Sequence, residues 1–267
     1  MFKPLFVFFL FLNFAFGGNV SPIKMASSEV YVISLQTSAL SLDFLALQDE
    51  KQKQFVEQNS AKLTPNEHNI LLIKSPNFTA LVDTGYPHTQ KNLKTALEAL
   101  NVSFDEITHI FITHAHRDHI GGILDEKGQN NFPNAKLMID KREFDYWQNV
   151  GDKHAKDSIN SFKEIVYFTP NKPLLQGDLE ILALPAYGHT PGHNMILLQH
   201  KEDKLLFWAD IMHFYALQIA MPEIALVFDV DKDEAIKTRK EVLQRLKSEK
   251  IPVVGAHMPL SQPIVLE

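Results

Sequence analysis

The sequence predicts a single α/β domain, and three observations carry that prediction. Short apolar runs alternate with segments of helical period, the chemically reactive motifs stand where apolar runs stop, and no repeat or linker breaks the order within the mature chain. With 267 residues, 45% of them hydrophobic, the chain is long enough to bury a substantial core as one unit.

Taken in order, the amino terminus stands apart. Lys3 precedes an unbroken apolar run from Leu5 to Leu12, extended by Phe14, Ala15 and Phe16 and stopped by Gly17 and Gly18. A bilayer span needs roughly 20 apolar residues, so this run suits the h-region of a secretory leader instead. Ala15-Phe16-Gly17 offers small residues two apart for cleavage, which makes residues 1–17 the leader and 18–267 the mature domain. An uncleaved N-terminal anchor is the alternative for residues 1–17, and Met25 would allow a shorter, cytosolic start.

Val30 to Ile33, Ile70 to Ile73 and Ala80 to Val82 read as strands, the last ending in the turn Asp83-Thr84-Gly85. From Gln90 to Leu100, Leu93, Ala96, Leu97 and Leu100 fall at helical spacing, and Ile107 to Ile112 returns to a β-like run. Further strands are expected at Lys136 to Ile139, Leu179 to Leu184, Met195 to Leu198, Leu205 to Trp208 and Pro252 to Gly255. A helix is expected from Lys232 to Lys247, capped by Asp231 with Glu234 three residues on. The polar stretch Gln48 to Lys62 reads as a solvated helix or a mobile segment that could cover a cleft.

A formal charge of −6 offers no broad basic surface, which excludes nucleic acid as the expected partner. With no cysteine, thiolate ligands, iron–sulfur clusters, disulfides and cysteine nucleophiles are excluded together. Any metal must then be held by nitrogen and oxygen.

Such donors are concentrated in Thr113-His114-Ala115-His116-Arg117-Asp118-His119-Ile120-Gly121-Gly122, directly after the apolar run Ile110-Phe111-Ile112. A lone histidine is more often a core or surface residue than a ligand, but here four donor side chains fall within six residues. In extended chain, His114 and His116 point the same way because side chains repeat every two residues. If a helix starts near Asp118, that carboxylate and His119 swing toward a second centre, while Gly121 and Gly122 permit close packing of the backbone. His189, Asp210 and His257 each follow a predicted strand, and layered α/β proteins gather their sites at strand ends. His193 is placed to brace the loop of His189, and Arg239, interrupting an apolar helix stripe, to reach a buried carboxylate or snorkel to solvent. His68, His88, His109, His154 and His200 are read as structural or surface residues.

His114, His116, Asp118 and His119, followed by His189, Asp210 and His257, resemble the signature of the metallo-β-lactamase superfamily, and Val82-Asp83-Thr84-Gly85 resembles its earlier motif. The resemblance implies an αββα sandwich of two mixed β-sheets flanked by helices. It places His114, His116 and His189 on a first metal and Asp118, His119 and His257 on a second, with Asp210 bridging. Asp83 would orient a ligand imidazole through its distal N–H. Two divalent ions are implied, and zinc suits the mixed imidazole and carboxylate set. A hydroxide shared by the metals would be the nucleophile, with Asp118 as the catalytic residue that orients it and carries a proton onward.

Phe132-Pro133-Asn134-Ala135, Phe144-Asp145-Tyr146-Trp147, Gln218 to Pro222, Asp229-Val230-Asp231 and Arg239 narrow the resemblance to the methyl parathion hydrolase branch. That implies a small-molecule substrate, an ester, lactone or organophosphate with an apolar or aromatic part, held by Trp147 and His213. Similar acyl-homoserine lactonases carry a tyrosine three residues after the bridging aspartate, where this chain has His213. The alternatives are a metallo-β-lactamase, an acyl-homoserine lactonase, or a periplasmic zinc-binding protein without turnover. The expected setting is periplasmic or secreted, with no stable membrane insertion after the leader is removed and a homodimer left open.

Overall fold

A computed structural model describes residues 12–13, 19–63, 65–150, 152–169, 172–175, 177–259 and 262–267. The expected leader, residues 1–17, lies outside the described residues except for Leu12 and Asn13. Among the described residues, no helix is long and apolar enough to cross a membrane.

The strands are β1 (Leu12–Asn13), β2 (Asn19–Met25), β3 (Ser28–Ser38), β4 (Leu45–Ala46), β5 (Asn66–Ser75), β6 (Phe78–Val82), β7 (His109–Phe111), β8 (Lys136–Ile139), β9 (Ile165–Tyr167), β10 (Glu180–Pro185), β11 (Asn194–His200), β12 (Asp203–Phe207), β13 (Ala225–Leu226) and β14 (Val253–Val254). The helices are α1 (Glu50–Asn59), α2 (Gln90–Ala99), α3 (Arg117–Ile120), α4 (Lys141–Val150), α5 (Lys153–Asn160), α6 (Tyr215–Gln218) and α7 (Lys232–Glu249). An eight-stranded sheet runs β1-β2-β3-β5-β6-β7-β8-β9, a four-stranded sheet runs β10-β11-β12-β14, and β13 pairs with β4. Both larger sheets are mixed: β6 to β9 pair in parallel and so do β12 and β14, while the remaining pairs are antiparallel.

Period-2 alternation builds the layers. On β5, Ile70 and Leu72 enter one core with α2, α4 and α5, whereas Leu71 and Ile73 enter a second core between the two sheets. On β11, Ile196 and Leu198 meet that second core, while Met195 and Leu197 face α7 through Val242, Leu243 and Leu246. Helix, sheet, sheet, helix is therefore the order of layers, as the αββα expectation has it. A strand buried on both faces shows no polar alternation, which is why Ile70 to Ile73 reads as one apolar run.

Gln48 to Lys62 forms α1 and a following 3₁₀ turn, capped by Asp49, with Gln52 and Val56 buried. It is the solvated helix of the two expectations. Asp231 accepts a hydrogen bond from the Glu234 amide at 3.0 Å, so α7 starts where expected and runs two residues beyond Lys247. β7 is shorter than Ile107 to Ile112, because a 3₁₀ turn at Phe104–Glu106 delivers the chain to the sheet only at His109.

Candidate metal centre

The centre forms where strands of both sheets stop. Parallel pairing sets Val82 beside Phe111, so Asp83 and the Thr113 to His116 segment leave the sheet together. In the other sheet Phe207 pairs with Val254, which brings Asp210 and His257 to the same level. After His116 the chain turns into α3, a single turn that carries Asp118 and His119 across, as expected. Thr84 and Gly122 lock this crossing: a Cβ on Gly122 would stand 2.2 Å from the Thr84 carbonyl oxygen. Ala209, immediately before Asp210, holds φ at +49°, a backbone conformation that L residues disfavour and that functional sites tolerate.

Among the described residues the structure brings all seven predicted ligands into two four-residue groups of donors, with a third, overlapping group of Asp210, His213 and His257. His114, His116, His189 and Asp210 form the first; Asp118, His119 and His257 join His68 in the second. His114 Nε2 lies 3.0 Å from His116 Nδ1, which lies 3.0 Å from His189 Nε2. Asp210 Oδ2 is 3.5 Å from His114 Nε2, 3.4 Å from His189 Nε2 and 3.3 Å from His257 Nε2, and Asp210 Oδ1 is 3.1 Å from His119 Nε2. Asp118 Oδ2 is 3.5 Å from His119 Nε2 and 3.2 Å from His257 Nε2. Donors set about 2.0–2.2 Å from one tetrahedral zinc lie roughly 3.2–3.6 Å apart. His119 Nε2, His257 Nε2 and Asp210 Oδ1 are buried yet find no hydrogen-bond partner among the described residues. Buried polar atoms are normally paired, so converging orphans at ligand spacing fit a divalent cation.

The ligands are held from behind. Asp83, at φ +63°, accepts from the Thr113 amide at 2.9 Å, the Thr113 hydroxyl at 2.8 Å and the His119 imidazole at 2.7 Å. It therefore stands behind His119, a candidate ligand. Asp229 does the same for His189 at 2.7 Å and also accepts from the Leu226 amide. Arg239 reaches that carboxylate at 4.0 Å and donates to the carbonyls of Ile211, Pro222 and Ile224. Asn66 lies 3.2 Å from His257 Nδ1. His193 donates to the Ala186 carbonyl and accepts from the Asp210 amide, bracing the loop as expected.

Glu143, fully buried on α4, ties the two histidine loops together. It accepts from the Ala115 amide, the Trp147 indole, the Thr190 hydroxyl and the Gly192 amide, between 2.6 and 3.0 Å. Burial pushes its pKa up, and these donors oppose that. Trp147, expected as a substrate contact, is 8% exposed and sets its ring edge-on to His116 with centroids 5.6 Å apart. His213 stacks on His257 at 4.2 Å, places Nε2 3.0 Å from Asp210 Oδ2 and lines a cleft of about 260 Å³ with His257, Phe214, Leu40, Leu63 and Pro65. Trp147 is not part of that cleft's lining.

Electrostatics follow burial and the neighbours. Burial alone would raise the carboxyls of Asp118 and Asp210, but the surrounding imidazoles hold both well below the ordinary range. Burial would lower His189 and His257; instead Asp210 together with Asp229 carries the first up to about 9, and Asp210 with Asp118 carries the second to about 9. Burial and the charge of His189 depress His116 to about 3, and burial with His257 depresses His213 to about 4.

Asp229, Glu143 and Asn66 carry no assigned role in the sequence reading. Each meets a partner far along the chain, and only Asp229 falls in a motif noticed there. His68, read as structural, sits within the second donor group. Phe228 also lies close, with its ring centroid 5.0 Å from that of His213 and 5.7 Å from that of His189.

A family model described as the metallo-beta-lactamase superfamily matches residues 63–257. The uncharacterized protein YobT of Bacillus subtilis (strain 168) is 32% identical over 130 residues, covering 46% of this chain and 54% of that protein. The chain spans about half the length of the curated relatives it matches. Among solved structures, AidC, a dizinc quorum-quenching lactonase in complex with the product N-hexanoyl-L-homoserine, superposes with a TM-score of 0.79 at 25% identity, covering 92% of both chains. The hydrolase AbOPH of the beta-lactamase superfamily superposes at 0.78 and 20% identity, covering 92% of both, a likeness of fold.

Proposed function

The chain belongs to the metallo-beta-lactamase superfamily, and from that premise we propose that it is a zinc-dependent hydrolase with two ions, acting on a small ester, lactone or organophosphate. The observation that carries this reading is Asp210, which lies at ligand spacing from donors of both groups at once. A carboxylate so placed supports two cations side by side rather than one. When bound, such a pair acidifies water and draws charge from a carbonyl or phosphoryl oxygen.

The chain's own residues supply the rest. Asp83 and Asp229 fix the tautomers of His119 and His189, so that each presents Nε2 to its group. Asp118, whose side chain is 14% exposed, is the more open of the two central carboxylates, and it orients the attacking water and takes its proton. His213 Nδ1 finds no partner among the described residues, and it is the polar handle beside the substrate. Leu40, Leu63 and Phe214 give the cleft an apolar wall for the body of that substrate.

The likeness to a dizinc lactonase over 92% of the chain supports carbonyl chemistry. His213, standing where lactonases carry tyrosine, favours a second reading, the phosphotriester chemistry of the methyl parathion hydrolase branch. A rate ranking of the zinc-loaded protein over aryl acetates, dihydrocoumarin, acyl-homoserine lactones, paraoxon-type triesters and nitrocefin tests both. Lactones and aryl esters are expected to turn over fastest. Triesters ahead of them would install the second reading, nitrocefin alone would make the protein a lactamase, and full loading with no turnover would leave a metal-binding protein. Export is proposed on residues 1–17, with N-terminal sequencing of the processed protein as its test.

A further inference from the structure

We infer that His68, on β5, is an additional ligand of the second metal position, beside Asp118, His119 and His257. The inference rests on the two-metal reading above and adds a residue to it.

Three observations converge. His68 is 3% exposed, and neither of its ring nitrogens has a hydrogen-bond partner among the described residues. A buried imidazole left wholly unsatisfied is costly and rare. Orphaned atoms around it include His119 Nε2, His257 Nε2 and Asp210 Oδ1, which surround the second position. Next, His68 Nε2 lies 3.7 Å from Asp118 Oδ2. That is too long for a hydrogen bond, yet close to the 3.5 and 3.2 Å at which His119 and His257 stand from the same oxygen. Finally, the three imidazoles form a nearly regular triangle. His68 is 5.7 Å from His119 and 5.4 Å from His257 between ring centroids, while those two are 5.9 Å apart. By distance to Asp118 and to the two rings, His68 belongs to the same set.

The consequence is asymmetry. The position served by His114, His116, His189 and Asp210 has three imidazoles and one carboxylate, whereas the other gains a third imidazole beside two carboxylates, Asp118 and Asp210. The second ion should therefore bind more tightly than its share of the seven predicted ligands implies.

The test is metal binding rather than turnover. Wild type and His68→Phe are each loaded with zinc and titrated against a chromophoric chelator, then loaded with cobalt and read in the visible spectrum. Wild type is expected to hold two ions, and His68→Phe to release one of them at least about ten-fold more readily, with altered cobalt bands. Two ions in both proteins, equal release and identical spectra would overturn the role of His68 while leaving the two-metal centre intact. A single ion in wild type would sink both. Zinc-edge anomalous diffraction from zinc-loaded wild type decides the matter without any variant. A His68 Nε2 to zinc distance of about 2.0–2.1 Å is expected, and one beyond hydrogen-bond range would overturn the inference.

Discussion

Asp83 and Asp229 perform one task from opposite sides of the centre. Each takes the distal N–H of a ligand histidine at 2.7 Å, and each is itself held by a backbone amide, so the imidazole cannot rotate without breaking two bonds. Asp229→Asn keeps the shape but removes the charge that draws the proton onto Nδ1. It should weaken metal binding by about 10–100-fold, read by chelator competition, with little loss of fold; affinity equal to wild type would show that His189 is fixed by packing alone. At this scale the seven candidate ligands were legible because they fall in short motifs at strand ends. Asp229 was not, since its partner is 40 residues away and nothing local distinguishes it from the surface aspartate two residues later. Glu143 was hidden for the same reason: three of its four donors lie 28, 47 and 49 residues off.

The elements that place these side chains were legible in proportion to how cleanly their inner face is apolar. α2 carries a stripe of Leu and Ala, and α7, although Arg239 interrupts it, keeps Ala235, Val242, Leu243 and Leu246 at helical spacing over a length that reads as a helix. α4 does not, because its inward face alternates Glu143 with Trp147, and a buried carboxylate in the stripe masks the period. β9, three half-buried or exposed residues at the sheet edge, offers too little pattern to notice. The loop after β10 is set by its backbone. Gly188, immediately before His189, holds φ at +120°, and a Cβ there would stand 2.2 Å from the Ala235 amide nitrogen at the start of α7. Alanine must then both leave a region closed to it and push α7 outward. Gly188→Ala should destabilise the protein by more than about 2 kcal/mol, read by urea denaturation of the metal-free form, and should carry metal affinity down with it because His189 moves. A variant as stable as wild type would mean that α7 yields without cost.

At the scale of the whole molecule the centre is a clamp between two sheets, for its donors leave β7 and α3 on one side and the loops after β10, β12 and β14 on the other. The layer order was visible beforehand only through the resemblance, since apolar runs do not say which strand lies beside which. The unfolded chain has no such clamp, so ion binding adds to folding stability. Protons complicate the gain. His189 and His257 sit at about 9 in the metal-free centre, above the ordinary 6.5; their protonation therefore favours the metal-free fold below pH 6.5, and that contribution fades as pH rises through 9. His68, His116 and His193, at about 3, and His213, at about 4, act oppositely: their neutral forms favour the fold above pH 6.5, and this is lost as pH falls toward those values. Zinc must displace the protons of His119, held well above the ordinary imidazole range by Asp210, Asp118 and Asp83, and of His189 and His257, so loading at pH 7.5 should release about three protons per protein, measured by calorimetry in buffers of different ionisation enthalpy. Zinc held at a hundred times its dissociation constant should add about 2.7 kcal/mol, a rise in Tm of roughly 5–10 °C for a domain of this size, and chelation should reverse it. Because proton release and thermal gain have one origin, lowering the pH from 7.5 to 6 should shrink the gain at fixed zinc. A thermal gain independent of pH, or none on chelation, would mean that the converging histidines do not serve as the ion's ligands.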